Sequence, residues 1–225
     1  MDDLNLEGEE LNKTLENLSW VNQWLGSHLS VRNGFDTGLR YLAESDLPSP
    51  IRVMDVGCGG GDCLRMLAKW AKKRAYSVHL SGLDANPHII DWARNQSGHS
   101  PDIDYVCANV FDNNIPWQSY QIVHCGLFFH HFSEQEQLQL LNRWREAGVK
   151  MVLINDLQRH WLPYFLFQIV STLLGFTPMA KTDGALSIQR GFTRKELTHL
   201  MKQYSPRYSR CRWRWAFQYQ LIMIP

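Results

Sequence analysis

Several signatures are missing from this chain. Its five cysteines (Cys58, Cys63, Cys107, Cys125 and Cys211) are odd in number and form no C-x-x-C pair. That argues against a zinc ribbon or a disulfide framework and for reduced thiols. No charge sign dominates: 23 Lys plus Arg against 22 Asp plus Glu leave a net charge of +1. Such a surface has no overall attraction to polyanions, which argues against a non-specific nucleic-acid binder. The opening residues, MDDLNLEGEE, carry no basic region and no apolar core of a leader, and a cytoplasmic location is expected. The longest apolar stretch, Trp161 to Phe176, is broken by Pro163, Gln168, Ser171, Thr172 and Gly175. It falls short of the roughly 20 successive apolar residues of a membrane span. There is no internal repeat and no low-complexity tract.

What is present fits one domain with a lid. The 225 residues are 44% hydrophobic and 12% aromatic, enough for a sizeable core. Helical spacing runs from about Leu11 to Leu42, with Leu11, Leu15, Leu18, Val21, Trp24 and Leu25 recurring on one side. Leu47-Pro48-Ser49-Pro50 then breaks the pattern. Residues 1–47 are therefore expected to form an N-terminal helical cap, and 48–225 the main domain.

Beyond the break, strands and helices alternate. Strands are predicted from Ile51, over Ser77 to Leu83, Ile103 to Ala108, Gln121 to Phe128 and Val149 to Ile154. Asn86-Pro87 reads as a helix cap followed by proline at the first helical position, and Ser133 with Glu136 reads as a capping box. Strands separated by helices imply right-handed β-α-β units and a parallel sheet. Thr193 with Glu196 caps a further helix, and the residues after Pro206 read as a β-hairpin. There Arg210, Arg212 and Arg214 alternate with Cys211, Trp213 and Trp215, which favours an edge strand protected by charge over an RNA-binding ribbon.

The segment Asp55-Val-Gly57-Cys58-Gly59-Gly60-Gly61-Asp62 lies between the first strand and a helix. Glycines there permit a sharp turn and let a ligand approach the main chain. A dinucleotide fingerprint would need glycine where Asp62 stands, and no phosphate-binding lysine follows. Asp55-x-Gly57-x-Gly59-x-Gly61 instead resembles motif I of the class I S-adenosylmethionine (SAM) methyltransferases. Gly82-Leu83-Asp84, Ala108-Asn109-Val110 and Tyr120 to Phe132 resemble the next three blocks of that family, in order and at the family's spacing. Asn109 and Gln121 stand where the family usually has Asp. The tail Asp183-Gly184 with Phe192 to Leu197 is similar to small-molecule methyltransferases of the ubiquinone and menaquinone biosynthesis type.

The resemblance implies a Rossmann-like α/β fold: a seven-stranded, mostly parallel sheet with helices on both faces and one antiparallel strand near the C-terminus. It implies SAM as cofactor, S-adenosylhomocysteine as product, and cofactor contacts from Asp55, Gly57, Cys58, Gly59, Gly61, Asp84, Ala85, Asn109, Val110 and Cys125. The sequence lacks the Asp/Asn-Pro-Pro-Tyr/Phe and Pro-Cys motifs of nucleic-acid methylases. A small apolar acceptor, phenolic or quinone-like, is expected instead. The competing readings are a non-catalytic SAM-binding scaffold and a protein methyltransferase.

Acceptor-facing residues should lie on the loops beyond strands four and five. His131 and His160 are the candidates for proton handling, with Trp24, His130, Asp156, Arg159 and Phe165 as acceptor contacts. Each has a plainer alternative: the paired histidines packing or capping, His160 exposed on a loop, Asp156 and Arg159 pairing with each other. No metal is expected, because adjacent histidines do not direct both rings at one ion. Residues 157–190 are read as a helical insert, either a lid over the acceptor, a buried packing helix or an interfacial helix in peripheral contact with lipid.

Overall fold

The computed structural model of the protein describes residues 6–42, 47–98 and 100–225. Met1–Asn5, part of the acidic opening, and residues 43–46, just before the expected domain boundary, lie outside the described residues.

Seven strands form one sheet in the order β3-β2-β1-β4-β5-β7-β6. They are β1 (Ile51–Val56), β2 (Val78–Asp84), β3 (Ile103–Cys107), β4 (Ile122–Gly126), β5 (Met151–Leu157), β6 (Tyr208–Arg214) and β7 (Gln218–Ile224). The first five are parallel, and β7 runs antiparallel to both β5 and β6. The chain starts at β1 and winds outward to β3, then returns to β4 on the other side. The switch point therefore lies between β1 and β4, where the strand ends splay and leave a crevice.

Several helices start where the sequence supplies a cap. The Asn86 side chain accepts from the amides of His88 and Ile89, with Pro87 leading α4 (Pro87–Ser97). Ser133 and Glu136 form a reciprocal capping box on α5 (Glu134–Glu146), as do Thr193 and Glu196 on α8 (Arg194–Tyr204). Replacing such a cap by alanine typically costs about 1 kcal/mol. With α3 (Asp62–Lys73), these helices cover the sheet on two sides. On one face Leu140, Leu141, Trp144, Leu197 and Tyr204 bury against Val56, Val123 and Ile154. On the other, Phe35, Leu64, Leu67 and Trp70 bury against Val53, Leu80 and Leu153.

The N-terminal region is two helices, α1 (Glu9–Trp24) and α2 (Ser27–Gly38), where helical spacing alone suggested continuity. Gly26 breaks them in a left-handed conformation. The amide of Ala216, at the tip of the β6–β7 hairpin, donates to the Leu25 carbonyl beside that break at 2.9 Å. The insert after β5 is a helix pair, α6 (Trp161–Leu173) and α7 (Pro178–Arg190). Thr14 and Thr177 hydroxyls meet at 2.7 Å, and the Thr177 amide donates to Asn17, so α1 is stitched to the start of α7. The two helical segments, far apart in sequence, therefore face one another above the crevice.

Candidate active site

The glycine loop leaves β1 and enters α3 beneath this helical cover. Gly57 has φ +69°, and a Cβ there would lie 2.2 Å from the Phe128 ring, so both conformation and proximity require glycine. Gly59 has φ +50°, and a Cβ there would meet nothing within 4 Å: its open side faces the cavity described below. Asp84, at the end of β2, accepts the Gly59 amide at 3.2 Å through Oδ2 and the Asn86 amide at 3.1 Å through Oδ1. One carboxylate thus fixes both the loop and the next helix cap. Burial raises the Asp84 pKa, and the backbone donors from Asn86 and Gly59 only partly offset it.

Below the loop lies a buried pair that neither composition nor spacing suggested. His124 Nδ1 donates to Asp55 Oδ1 at 2.6 Å, and both side chains are almost fully excluded from water. Cys63 Sγ stands 3.8 Å from the same nitrogen. Among the described residues, Asp55, Cys63 and His124 are the group whose donor atoms converge within 4.8 Å of one another. Burial pushes the Cys63 thiol well up, with Asp55 and Asp62 adding to the effect. The pair is read as the support of the loop.

A second polar cluster ties the cap to the loop. Asp62, the first residue of α3, accepts His28 Nε2 at 2.7 Å and Asn22 Nδ2 at 3.2 Å. Burial works against its charge, but the bonds from His28 and Asn22 outweigh that and lower its pKa. The residue that spoils the dinucleotide fingerprint is therefore the anchor for α1 and α2.

These elements enclose a cavity of about 600 Å³. Its floor comprises Asp55, Gly57, Cys58, Gly59, Asp84 and Ala85, continuing to Asn109 and Val110 beyond β3. Its roof is apolar: Leu18, Val21 and Leu25 of α1, then Pro163, Leu166 and Phe167 of α6. Phe128, His131, Asp183 and Ser187 close one end, and Trp215 to Gln218 of the hairpin reach the wall.

Other expected site residues fall elsewhere. Gly61 lies behind the loop, where a Cβ would meet the Tyr105 hydroxyl at 2.1 Å. Cys125 is fully buried in the core, and its neighbour Gly126 lines the cavity instead. His130 and Asp156 form a buried pair outside the lining: His130 Nδ1 donates to Oδ1 at 2.7 Å and the His130 amide to Oδ2 at 3.0 Å. Burial opposes the charged ring, yet the attraction and hydrogen bond of Asp156, with Asp183 further off, raise the His130 pKa. This pair fixes the tight turn Phe129–His131 and thereby places His131 on the wall. Asp156 and Arg159 do not pair with each other, since Arg159 is bonded to Glu196. His160 caps α6, accepting the Leu162 amide at 3.2 Å, and is exposed. Trp24 and Phe165 point outward, 65% and 57% exposed, because the cavity takes the opposite side of each helix. Asn109 Oδ1 accepts the Phe111 amide at 3.0 Å, so it already shapes its own turn.

The strand order, the glycine loop at the switch point and the carboxylate ending the next strand define the class I methyltransferase fold. Residues 53–148 match the family described as methyltransferase domain, and in fold and site the chain is similar to the class I SAM-dependent methyltransferases. A phosphoethanolamine N-methyltransferase 1 of Triticum aestivum is 25% identical over 127 residues, which is 55% of this chain and 24% of that protein. The chain thus matches about a quarter of that curated relative's length. Among solved structures, human N-acetylserotonin methyltransferase in complex with SAM aligns with a TM-score of 0.64 at 14% identity, covering 96% of this chain and 56% of that one. A SAM-dependent methyltransferase from Aquifex aeolicus aligns with a TM-score of 0.62 at 13% identity, covering 97% of this chain and 99% of that one.

Proposed function

We propose that this chain transfers a methyl group from SAM to a small, apolar, hydroxylated acceptor. The observation that carries the reading is the two-sided cavity: a polar floor shaped by the glycine loop, with an apolar roof from α1 and α6. Gly59 leaves room for the cofactor's amino-acid end, and Asp84 stands where a carboxylate accepts ribose hydroxyls. SAM supplies a methyl already activated on a sulfonium. The chain's own task is then to align the acceptor, exclude water and receive a proton. His131, which lines the cavity as Asp183 does and has Arg190 Nη1 3.4 Å from its Nδ1, is the group assigned to take the proton of the acceptor hydroxyl. The roof residues Val21, Leu166 and Phe167 hold the apolar body.

Charge narrows the acceptor further. The lining carries Asp55, Asp62, Asp84 and Asp183 and, among the described residues, neither Lys nor Arg. A phosphorylated acceptor would meet these carboxylates with no Lys or Arg in the lining itself, Arg190 lying 3.4 Å from His131 Nδ1, which disfavours the substrate class of the Triticum relative. The protein-methyltransferase reading loses support for a related reason, since the roof closes over the cavity where a peptide would need a groove.

The test is transfer of labelled methyl from SAM to a panel of alkylated phenols, with phosphoethanolamine and a histone-type peptide as controls. Turnover confined to the phenols supports the reading, and turnover of phosphoethanolamine alone refutes the acceptor class. A His131→Ala variant should lose about 10²- to 10⁴-fold in rate while keeping its affinity for SAM.

A further inference from the structure

The elements that roof the cavity also carry the protein's largest exposed apolar side chains. Helix α6 presents Trp161, Phe165, Ile169 and Leu173 at spacings of four, a single stripe directed away from the cavity. Leu173 is 80% exposed and Trp161 64%. Two further elements bring large rings next to α6. On α1, Trp24 packs against Trp20 at 6.2 Å, and Trp20 meets Phe176 just beyond α6 at 6.3 Å. On the hairpin, Trp215 is 67% exposed and Trp213 Nε1 donates to Gln158, just before α6, at 2.8 Å. The hairpin tip is in turn bonded to Leu25 at the end of α1. The three elements that expose these rings are three that line the cavity.

Charge is distributed around this surface in one sense. Residues 17–31 and 160–180 contain no Asp, Glu, Lys or Arg. The charges that bound them, with those of the hairpin, are Arg32, Arg159, Lys181, Arg210, Arg212 and Arg214 against Glu16, and Arg159 is shared with Glu196. An uncharged apolar face rich in tryptophan and rimmed by basic residues is complementary to an anionic bilayer surface, where indoles sit at headgroup depth and each nearby cation adds about 1 kcal/mol. A second copy of the chain fits less well. A two-fold contact would set the basic rim against itself.

We infer that the α6 face, with the tryptophans of α1 and the β6–β7 hairpin, docks on an anionic lipid surface and opens the cavity mouth to it. The entry of a lipid-dissolved acceptor through that mouth rests on the function proposed above; the docking does not. No described helix is long and apolar enough to cross the membrane, so the contact is peripheral.

The experiment is flotation of the full chain with phosphatidylcholine vesicles and with vesicles containing phosphatidylglycerol, at low and at 1 M salt. Wild type should float with the anionic vesicles. Partition should weaken at high salt, where the screening length falls to about 3 Å. The double variant Phe165→Glu, Ile169→Glu changes two exposed residues outside the cavity and should lower partition at least tenfold, about 1.4 kcal/mol. Its SAM affinity, measured by calorimetry in parallel, should be unchanged. Failure to float with either vesicle overturns the inference, as does equal flotation of the double variant. So does a stable dimer in sedimentation that the double variant dissociates. Flotation with no methyl transfer to any phenol would leave the docking surface standing and refute the proposed function alone.

Discussion

Asp156→Asn is the substitution that probes the buried support of the site most sharply. The Asp156 carboxylate accepts three donors: His130 Nδ1 and the Leu157 amide on Oδ1, each at 2.7 Å, and the His130 amide on Oδ2 at 3.0 Å. An asparagine keeps the shape but turns one oxygen into a donor facing a donor. One buried donor is then unsatisfied, at about 1–3 kcal/mol, and the charge assistance to His130 is lost as well. The sum is about 2–4 kcal/mol, against a total stability of about 5–15 kcal/mol for an ordinary domain. The pH dependence carries a second signature. His130 has a raised pKa in the folded chain, so its contribution is fully present below the unfolded value of about 6.5. It is lost as pH rises through the higher folded value. Urea denaturation at a series of pH values should show wild type losing stability over that window and the variant lacking the slope. A variant within about 0.5 kcal/mol of wild type, with the same pH profile, would refute the reasoning.

Three further outcomes follow from the same geometry. Gly57→Ala places a Cβ 2.2 Å from the Phe128 ring at φ +69°. The left-handed conformation alone costs about 1–2 kcal/mol, and the displaced ring enters the cavity; calorimetry should show SAM affinity falling at least tenfold, about 1.4 kcal/mol, and unchanged affinity would contradict this. His28→Ala removes the anchor of α2 on Asp62. Amide exchange across residues 9–38 should then speed up relative to the sheet, and protection equal to wild type would count against the anchor. Asp62 itself has a lowered pKa, so its contribution is present above about 3.9 and is lost as pH falls through the lower folded value; Asp62→Asn should remove that acid-side loss in a denaturation series, and a variant that retains it would assign the loss to another group.

Much of this was legible in the sequence because it is written in local code. Asn86-Pro87, Ser133 with Glu136 and Thr193 with Glu196 each mark a helix start through short-range hydrogen bonds, and the structure has helices at all three. The glycine loop and Asp84 are likewise set by one β-α-β unit. What was not legible depends on which side of an element faces inward. Helix α6 is apolar nearly all round, so periodicity does not say whether Phe165 or Leu166 meets the cavity, and the structure chooses Leu166. The bonds of Asp62 to His28 and of Asp55 to His124 join residues 34 and 69 positions apart, which no spacing rule links. The fourth strand ends at Gly126, earlier than expected, because Leu127 takes a positive φ of 53° and the chain turns to bring His131 to the wall.

The central claim is that the loop, Asp84 and the cavity form a SAM site. It is tested most directly by calorimetric titration of the chain with SAM and S-adenosylhomocysteine, beside Asp84→Ala. The alanine loses the charge-assisted acceptor at about 1.5–3 kcal/mol per bond. Saturable binding of both ligands to wild type, weakened ten- to a hundredfold or more in the variant, is the predicted result. No heat from either ligand with a chain shown to be folded, or equal affinity in the variant, would contradict it.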